Sequence, residues 1–417
     1  MIRPSSLSYP AAVCVDLDAV AANARRMQQY AGDATFLAVV KANAYGMGRT
    51  AVAQRLWDEG IRWFATARVP EAIALRRALT EHGADPEEAH ILTWLNTPEG
   101  DWSAALQHQL DISVSNKEQL SQVVATVEAL RESPREGTNA DATPARIHLK
   151  VDTGMSRGGA TPEELPALAK AVKVAEDQGA VELIGLWSHL AMADDPGEAG
   201  QAFTAHQVER FEQAYEVVQS AGLHPQIRHL SATAGTIWHP EAHYDMVRVG
   251  IGLYGLSPDP SVASSSELGL TPVGALRTRI TLAKHLEPGD TVSYGGTWVA
   301  PDHHWVGILP VGYQDGISRA LSNCGTVAVQ TAEGLVPAQI LGRICMDQTI
   351  IDLGNGEEPL APAGSVVTFF GDPARGEPSV DQWAEKAGTI NYEVISRIPL
   401  HLERTFLSSS TEEVARD

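Results

Sequence analysis

Residues 36–46 read FLAVVKANAYG, so an almost wholly apolar run ends on Lys41. Its β-branched and aromatic residues predict a buried strand from Phe36 to Val40. Lys41 would then leave the sheet at the mouth of whatever the sheet encloses. An amine in that position is usually either a Schiff-base lysine or a lysine in a salt bridge with an acid, and the strand alone does not decide between them.

Short apolar runs alternate with amphipathic helical segments through the first two-thirds of the chain. Strands are predicted at Phe36–Val40, Arg62–Thr66, His90–Trp94, Asp111–Ser115, Arg146–Val151, Leu183–Ser188, Gln226–Leu230 and Asp245–Val249. Eight such units in about 240 residues predict an α/β fold, a TIM-type (β/α)₈ barrel. Active sites in such barrels lie at the carboxyl ends of the strands, where Lys41 is expected.

From about Thr271 the pattern changes to closely spaced strands with Gly and Pro turns, which predicts a mainly-β C-terminal domain. Its strands are predicted at Ala275–His285, Thr291–Tyr294, Trp305–Val311, Thr326–Gln330, Val336–Ile344 and Val366–Phe370. Ser257–Ser266 is the expected linker, so we divide the chain into a barrel over residues 1–262 and a β domain over residues 263–417. Glu132–Pro144, rich in turn-forming residues, is predicted to be a surface insertion.

Composition limits the classes of function. Of 417 residues, 44% are apolar and 31 are basic against 52 acidic, a net charge of −21 that argues against nucleic-acid or anionic-membrane partners. Cys14, Cys324 and Cys345 suit neither a disulfide framework nor a metal site, so we expect no metal and a reducing cytoplasm. Asp16 interrupts the apolar run Ala11–Val15, and we therefore expect neither a signal peptide nor a membrane span.

Polar clusters follow four other predicted barrel strands. They read KVDTGMSR at 150–157, WSH at 187–189, HLSAT at 229–233 and MVRVGIGLYG at 246–255. Each is a weak signal alone: Lys150 with Asp152 would be an ordinary surface pair, and a lone His189 is more often structural. The glycines after Arg248 would let backbone N–H groups approach a phosphate. The β domain adds SYGG at 293–296, PVGYQDG at 310–316, GRICMDQ at 342–348 and NYE at 391–393.

Together with KANAYG, these stretches resemble the motifs of the alanine racemases, fold-type III enzymes that use pyridoxal 5'-phosphate (PLP). The matches run in the family's order from Lys41 to Tyr392. The resemblance implies that Lys41 carries PLP as an internal aldimine. The cofactor-binding residues that it implies are Lys41, Tyr45, Arg157, His189, Thr233, Arg248, Gly250, Ile251 and Tyr392.

The resemblance also implies individual roles. His189 would pack over the PLP ring, and Lys150 would be carbamylated and hold Arg157 toward the cofactor and the substrate carboxylate. Arg248 would face the pyridine nitrogen and keep it unprotonated, which disfavours transamination and decarboxylation because the cofactor becomes a poorer electron sink. Ala232 and Thr233 stand where the family has Asn and Ser, so the amide contact at this corner is missing.

In the β domain, the resemblance implies that Tyr294 is the second catalytic base. Tyr313 would line the entrance, and Met346 would offer a backbone amide to the substrate carboxylate. Gln314, where alanine is usual, would alter only the rim. The family places Tyr294 in the partner's site, which implies a homodimer with shared sites.

The implied function is an isomerase, an amino-acid racemase that interconverts L-alanine and D-alanine and so supplies D-alanine for peptidoglycan. Lys41 would act on the D-enantiomer and Tyr294 on the L-enantiomer, from opposite faces of the α-carbon. Two alternatives stay open: a racemase of another small amino acid such as serine, and a non-catalytic PLP-binding protein. The second in its known barrel form lacks a β domain.

Overall fold

The computed structural model describes residues 10–97, 100–132, 144–408 and 411–414. Apart from its two end residues, the predicted insertion Glu132–Pro144 lies outside these ranges. The first strand, β1 (Ala11–Asp16), precedes the barrel, whose strands are β2 (Thr35–Val39), β3 (Trp63–Thr66), β4 (His90–Thr93), β5 (Asp111–Val114), β6 (Ala145–Lys150), β7 (Val181–Trp187), β8 (Ile227–His229) and β9 (Met246–Val249).

The barrel strands form one parallel sheet of eight in the order β8-β7-β6-β5-β4-β3-β2-β9. The two ends of this order meet, because the backbone N–H of Arg248 donates to the carbonyl of Ser231 at 3.0 Å. The predicted (β/α)₈ barrel is therefore confirmed, with strand ends that differ from the prediction by one or two residues in most cases. All eight carboxyl ends open at the same rim.

Helices separate the barrel strands. They are α1 (Leu17–Ala31), α2 (Lys41–Tyr45), α3 (Arg49–Asp58), α4 (Val69–Glu81), α5 (Trp102–Gln107), α6 (Lys117–Glu132), α7 (Leu165–Asp177), α8 (Glu198–Ser220) and α9 (Thr233–Trp238). Helix α1 shows why the chain turns where it does: the Asp16 carboxylate accepts the N–H of Ala19 at 2.9 Å and caps the helix. Its apolar face, including Val20, Ala24 and Met27, is fully buried.

The second part of the chain is mainly β, as predicted. Its strands are β10 (Gly274–Arg279), β11 (Leu282–Leu286), β12 (Thr291–Val292), β13 (Trp298–Val299), β14 (His304–Leu309), β15 (Thr326–Thr331), β16 (Gly334–Gln339), β17 (Thr349–Asp352), β18 (Val366–Phe370), β19 (Glu403–Ser408) and β20 (Thr411–Val414), with helices α10 (Val380–Ala387) and α11 (Asn391–Ser396). They form sheets ordered β16-β15-β18-β10-β1-β19-β20, β11-β14-β17 and β12-β13.

Several local features differ from the prediction. Strands β13, β17, β19 and β20 were not predicted, and the predicted strand Val336–Ile344 is β16, which ends at Gln339. The predicted strand Ala275–His285 is two strands, β10 and β11, that lie in different sheets. Tyr294 lies just beyond β12 in a 3₁₀ turn, because Ser293 has a φ of 63° and ends the extended conformation. Strand β1 pairs with β10 and β19 in the second sheet. The division at residues 262 and 263 remains a prediction.

One continuous apolar core runs from the barrel into the large sheet, and a small second cluster of Leu286, Val292, Ala300, Val306 and Leu341 lies under β11 and β14. All three cysteines are free thiols. Among the described residues, no helix is both long and apolar enough to cross a membrane.

Candidate active site

A cavity of about 1830 Å³ opens at the carboxyl ends of the barrel strands. Its wall includes all of the barrel residues singled out from the sequence and Tyr392 from α11: Lys41, Tyr45, Lys150, Arg157, His189, Thr233, Arg248, Gly250, Ile251 and Tyr392. Residues up to 351 positions apart in the sequence are thus brought to one site by strand ends that meet at one rim. Four of these residues have basic side chains, namely Lys41, Lys150, Arg157 and Arg248.

Lys41 lies where the backbone turns sharply after β2. Ala42, Asn43, Ala44 and Tyr45 all have φ between 52° and 54°, a left-handed run that costs about 1–2 kcal/mol per non-glycine residue. Side chains hold this turn: the carboxylate of Glu71 accepts the N–H of Ala42 at 2.9 Å, and Asn43 Oδ1 accepts the N–H of Arg49 at 2.9 Å. The strain leaves Lys41 at the cavity wall and Tyr45 buried beneath it.

The environment of Lys41 favours its neutral amine. Burial, together with the positive charge of Arg157, lowers the pKa of Lys41, and Glu71 opposes this only in part. Glu71 is engaged with the turn and with Arg49, and Lys41 forms no ion pair with any described residue. The salt-bridge interpretation of this strand-end lysine is therefore disfavoured. A lysine with a depressed pKa in a partly buried cavity is a chemically competent nucleophile and base.

Lys150 and Arg157 lie on a second wall of the cavity, at the end of β6. Burial lowers the pKa of Lys150 to about 8, with Arg157 and Arg248 contributing. The carboxylate of Asp152 accepts the N–H groups of Gly154 and Ser156 at 2.9 and 3.2 Å, so it forms the turn rather than an ion pair with Lys150. Lys150 Nζ instead lies 4.6 Å from the ring centroid of Trp187. Lys150 and Arg157 are therefore basic groups held close together, and the charge of Asp152 offsets their repulsion only in part.

Arg248 is almost completely buried and its guanidinium is fixed from several sides. Nη2 donates to the carbonyls of Ser188 at 2.7 Å and Leu230 at 2.9 Å, and it lies 3.3 Å from His189 Nδ1. Burial lowers the pKa of Arg248 to about 9, with Arg157 adding to the shift, which leaves it protonated at neutral pH. Burial and the charge of Arg248 hold the pKa of His189 well below its usual value, so His189 is neutral.

Two histidines behind Arg248 were given no role from the sequence, although His229 is the first residue of the HLSAT stretch. His229 Nδ1 lies 3.1 Å from Arg248 Nη1, and His229 Nε2 lies 2.9 Å from His148 Nδ1. Both histidines are fully buried inside the barrel. The sequence did contain a signal, because each of two predicted strands includes a histidine. A polar side chain that is buried in a strand needs a hydrogen-bond partner. The pair supports Arg248 from the side away from the cavity.

The far end of the cavity is built from hydroxyls and backbone. Gly250 N–H donates to Thr233 Oγ1 at 3.1 Å, and a Cβ at Gly250 would lie 2.4 Å from Tyr45 Oη, so only glycine fits there. The Tyr45 ring lies 6.4 Å from the ring of Tyr392. Ala232 provides no side-chain cap for α9, in line with the missing amide. The hydroxyls of Tyr45, Thr233 and Tyr392 meet at this end of the cavity, and hydroxyl donors suit a phosphate group.

Tyr294, Tyr313 and Met346 do not line the cavity of their own chain. They are 72%, 42% and 51% exposed and lie together on the β domain: Tyr313 N–H donates to the carbonyl of Cys345 at 2.9 Å, and Ser293 Oγ donates to that of Arg343. Gln314 N–H donates to the Met346 carbonyl at 3.1 Å. One surface patch therefore holds the residues that the resemblance assigns to the β domain.

The chain has the architecture of a barrel enzyme, with a lysine at the mouth of an α/β barrel that is followed by a β domain. Comparison with known proteins identifies the family. Residues 15–258 match the alanine racemase N-terminal domain and residues 273–406 the alanine racemase C-terminal domain. The chain belongs to the alanine racemase family, which confirms the resemblance seen in the motifs.

Relatives and solved structures agree over nearly the whole chain. The alanine racemase of Beutenbergia cavernae is 41% identical over 94% of this chain and 96% of its own length. The crystal structure of alanine racemase from Streptomyces lavendulae superposes with a TM-score of 0.88 at 36% identity, covering 97% of this chain and 98% of that one. The Streptomyces coelicolor structure gives a TM-score of 0.87 at 37% identity, with coverage of 96% and 98%.

The enzymes of this family are isomerases that depend on PLP. The residues of the cavity fit that cofactor: a lysine with a depressed pKa can bond to its aldehyde, and the hydroxyls of Tyr45, Thr233 and Tyr392 can donate to its phosphate. Cations along the wall complement the negative charge of phosphate, phenolic oxygen and substrate carboxylate.

Proposed function

We propose that this protein interconverts L-alanine and D-alanine, with PLP attached to Lys41. The observation that carries the proposal is Lys41 itself, a lysine at the mouth of the barrel with a lowered pKa and no ion-pair partner among the described residues. Membership of the family supplies the reaction, because the relatives reported above are named alanine racemases. When bound, the cofactor withdraws electrons from the substrate α-carbon and so acidifies its C–H bond.

Racemisation needs proton transfer on two faces of the α-carbon, and we assign it to two side chains. Lys41 Nζ removes or returns the proton on one face, and the hydroxyl of Tyr294 does so on the other. A single base would most simply return the proton to the face from which it came.

Binding and orientation fall to the other residues of the site. The phosphate end of the cofactor would be held by Thr233, Gly250, Ile251, Tyr45 and Tyr392. The cofactor ring would be contacted by His189 and Arg248. Arg157 and the backbone N–H of Met346 orient the substrate carboxylate, while Tyr313 narrows the entrance. The fixed guanidinium of Arg248 supports its role, since several acceptors prevent it from swinging away.

We further propose a homodimer with shared sites. Tyr294, Tyr313 and Met346 are exposed on the β domain and absent from the Lys41 cavity, so a second copy of the chain is needed to bring them there. In this arrangement residues 1–262, together with Tyr392 of the same chain, hold the cofactor, and residues 263–417 supply the second base to the partner. The free thiols fit the reducing cytoplasm, which is where we propose that the enzyme acts.

Cofactor attachment and substrate choice test the function together. Borohydride treatment of the purified enzyme should fix the cofactor on Lys41, identified by peptide mapping, because Lys41 has the depressed pKa and the access that bonding to an aldehyde requires. Racemisation should be fastest for alanine across a panel of L-amino acids. A label on Lys150 would refute the assignment of Lys41, and a preference for serine would replace alanine as the substrate.

Lys150 should carry a carbamate formed from dissolved carbon dioxide. Because its pKa is lowered to about 8, a large fraction of the amine is neutral near that pH. The neutral nitrogen forms the N–C bond and releases a proton, so the carbamate should be lost as the pH falls below this value. The resulting anion would neutralise the cation pair and orient Arg157. The measurement is a carbamate resonance in ¹³C NMR after addition of ¹³C-bicarbonate.

Two variants make the carbamate experiment specific. Lys150→Arg should abolish the resonance. Lys173→Arg should leave it unchanged, because a hydrogen bond to Asp177 raises the pKa of Lys173 and keeps its amine protonated. A resonance that survives in Lys150→Arg, or none in the unmodified protein, would contradict the prediction.

A further inference from the structure

Two histidines and a glutamate converge on the surface of the β domain, away from the barrel cavity. Glu287 Oε1 lies 3.6 Å from His285 Nδ1, and Glu287 Oε2 lies 3.0 Å from His303 Nδ1. One ligand atom from each of the three residues lies within 4.8 Å of the others. All three side chains are exposed.

Strand pairing explains the convergence. In the antiparallel pair of β11 and β14, His285 is opposite Trp305 and Leu286 is opposite His304, and Glu287 and His303 follow one residue beyond this last pair. Side chains alternate between the two faces of a strand, so His285, Glu287 and His303 project to the same face. Leu286 and His304 project to the other face and are buried. The cluster is therefore built by backbone pairing rather than by chance contact of flexible side chains.

Trp305 stabilises the position of His285. Its ring meets that of His285 edge-on, with centroids 5.0 Å apart at 72°, and its Nε1 donates to the carbonyl of Gly356 at 3.2 Å. The rings of His285 and His303 are stacked, with centroids 5.5 Å apart at 22°. At least one ligand is therefore held in place before anything binds.

The orientation of Glu287 suits binding of one ion by all three residues. Each carboxylate oxygen of Glu287 faces a different imidazole nitrogen, and the two rings are stacked. A single divalent ion would bind the carboxylate and both imidazole nitrogens together. The distances of 3.6 Å from His285 Nδ1 to Glu287 Oε1 and of 3.0 Å from His303 Nδ1 to Glu287 Oε2 are each close to the spacing of about 3.3 Å between ligands of a tetrahedral ion with bonds of about 2.0–2.1 Å. The three ligand atoms also all lie within 4.8 Å of one another.

We propose that His285, Glu287 and His303 form a binding site for a divalent transition metal of the Zn²⁺ type. Two imidazole nitrogens and one carboxylate are a ligand set that Zn²⁺ accepts, with water in the remaining position. Cysteine spacing, on which the expectation of no metal was based, gives no information about such a site. The histidines become neighbours only when β11 pairs with β14.

The location suggests what the metal does. Glu287 and His303 stand at the two ends of residues 288–302, the segment that carries β12, Tyr294 and β13. A metal bound to both ends closes this segment at its base and restricts its motion, in addition to the hydrogen bonds from Gly289 N–H to Ala300 and from Ala300 N–H to Asp290. The metal would thus stabilise the element that presents Tyr294. Only this consequence rests on the proposed function, whereas binding itself does not.

Calorimetric titration of the chelator-washed holoenzyme with Zn²⁺ tests the site directly. The unmodified protein should show one saturable site per chain that is weakened at least about tenfold by His303→Ala or His285→Ala. Glu287→Gln should weaken it similarly, because it removes the anionic ligand. His206→Ala is the matched control: His206 is equally exposed and lies 3.6 Å from Glu209, but this pair offers only two ligands. Equal binding by the unmodified and His303→Ala proteins would overturn the proposal.

Hydrogen exchange measures the effect on the segment without any assay of racemase activity. Zn²⁺ should slow amide exchange within residues 288–302 of the unmodified protein and leave it unchanged in His303→Ala. Exchange in α8, which carries His206, should not respond. Zinc binding without slower exchange would overturn the stabilisation of the Tyr294 segment. A protein that binds zinc but racemises no amino acid would refute the proposed function and leave the metal site standing.

Discussion

Mixing inactive Lys41→Ala and Tyr294→Phe proteins should restore about a quarter of the unmodified activity. Random exchange makes about half of the dimers mixed, and in each of these one of the two sites combines an intact Lys41 with an intact Tyr294 from the other chain. The structural reason is that Tyr294 is 72% exposed on the β domain and does not line the cavity that holds Lys41. The measurement is racemase activity as a function of time after mixing.

The double variant Lys41→Ala/Tyr294→Phe provides a matched control, in which shared sites lower the activity of a mixture instead of restoring it. If sites are shared, a mixed dimer of this variant with the unmodified chain has no complete site, so equal mixing should leave about a quarter of the activity. If each site belonged to one chain, about half would remain. Native mass spectrometry establishes that chains exchange. Mixtures of the single variants that stay inactive despite exchange would place both bases in one chain.

The barrel could be predicted from the sequence because its signals are local. The apolar run before Lys41 identifies a buried strand without any information from distant residues. The turn after this strand holds the lysine at the rim. Strand β1 was not predicted, because the run Ala11–Val15 was considered only as a signal peptide or membrane span and its partners β10 and β19 lie more than 250 residues away. Tyr294 was expected in a strand, and the positive φ of Ser293, unusual for a non-glycine residue, is what placed it in a turn instead.

The residues of the site also differed in how far the sequence could predict their positions. Lys150 and Arg248 lie in the last residues of β6 and β9, and Arg157 and His189 follow β6 and β7, so the barrel topology alone brings them to one rim. The support that His148 and His229 give to Arg248 depends on side chains from β6, β8 and β9 that meet inside the barrel, which strand position does not reveal. His285, Glu287 and His303 likewise meet only through the pairing of β11 with β14. Interactions between distant strands therefore mark the limit of the prediction.

Tyr294→Phe should remove exchange of the α-hydrogen from L-alanine far more than from D-alanine. The two proposed bases work on opposite faces of the α-carbon, with Lys41 serving the D-enantiomer and Tyr294 the L-enantiomer. Phenylalanine keeps the ring and deletes only the hydroxyl, so the loss measures proton transfer rather than packing. Removal of a general base typically costs about 10²- to 10⁴-fold, and we expect L-alanine exchange to fall by that factor.

Deuterium incorporation from heavy water, followed by NMR for each enantiomer separately, provides the measurement. D-alanine should still exchange at a reduced rate, because Lys41 remains in the cavity with its lowered pKa and can remove and return the proton on its own face. Tyr313→Phe is the control, since Tyr313 is a neighbouring exposed tyrosine to which we assign the entrance and not the chemistry. It should affect both enantiomers by a similar, smaller factor. Equal loss from both enantiomers in Tyr294→Phe would mean that Tyr294 supports the site as a whole, and the assignment of one base to each enantiomer would have to be withdrawn.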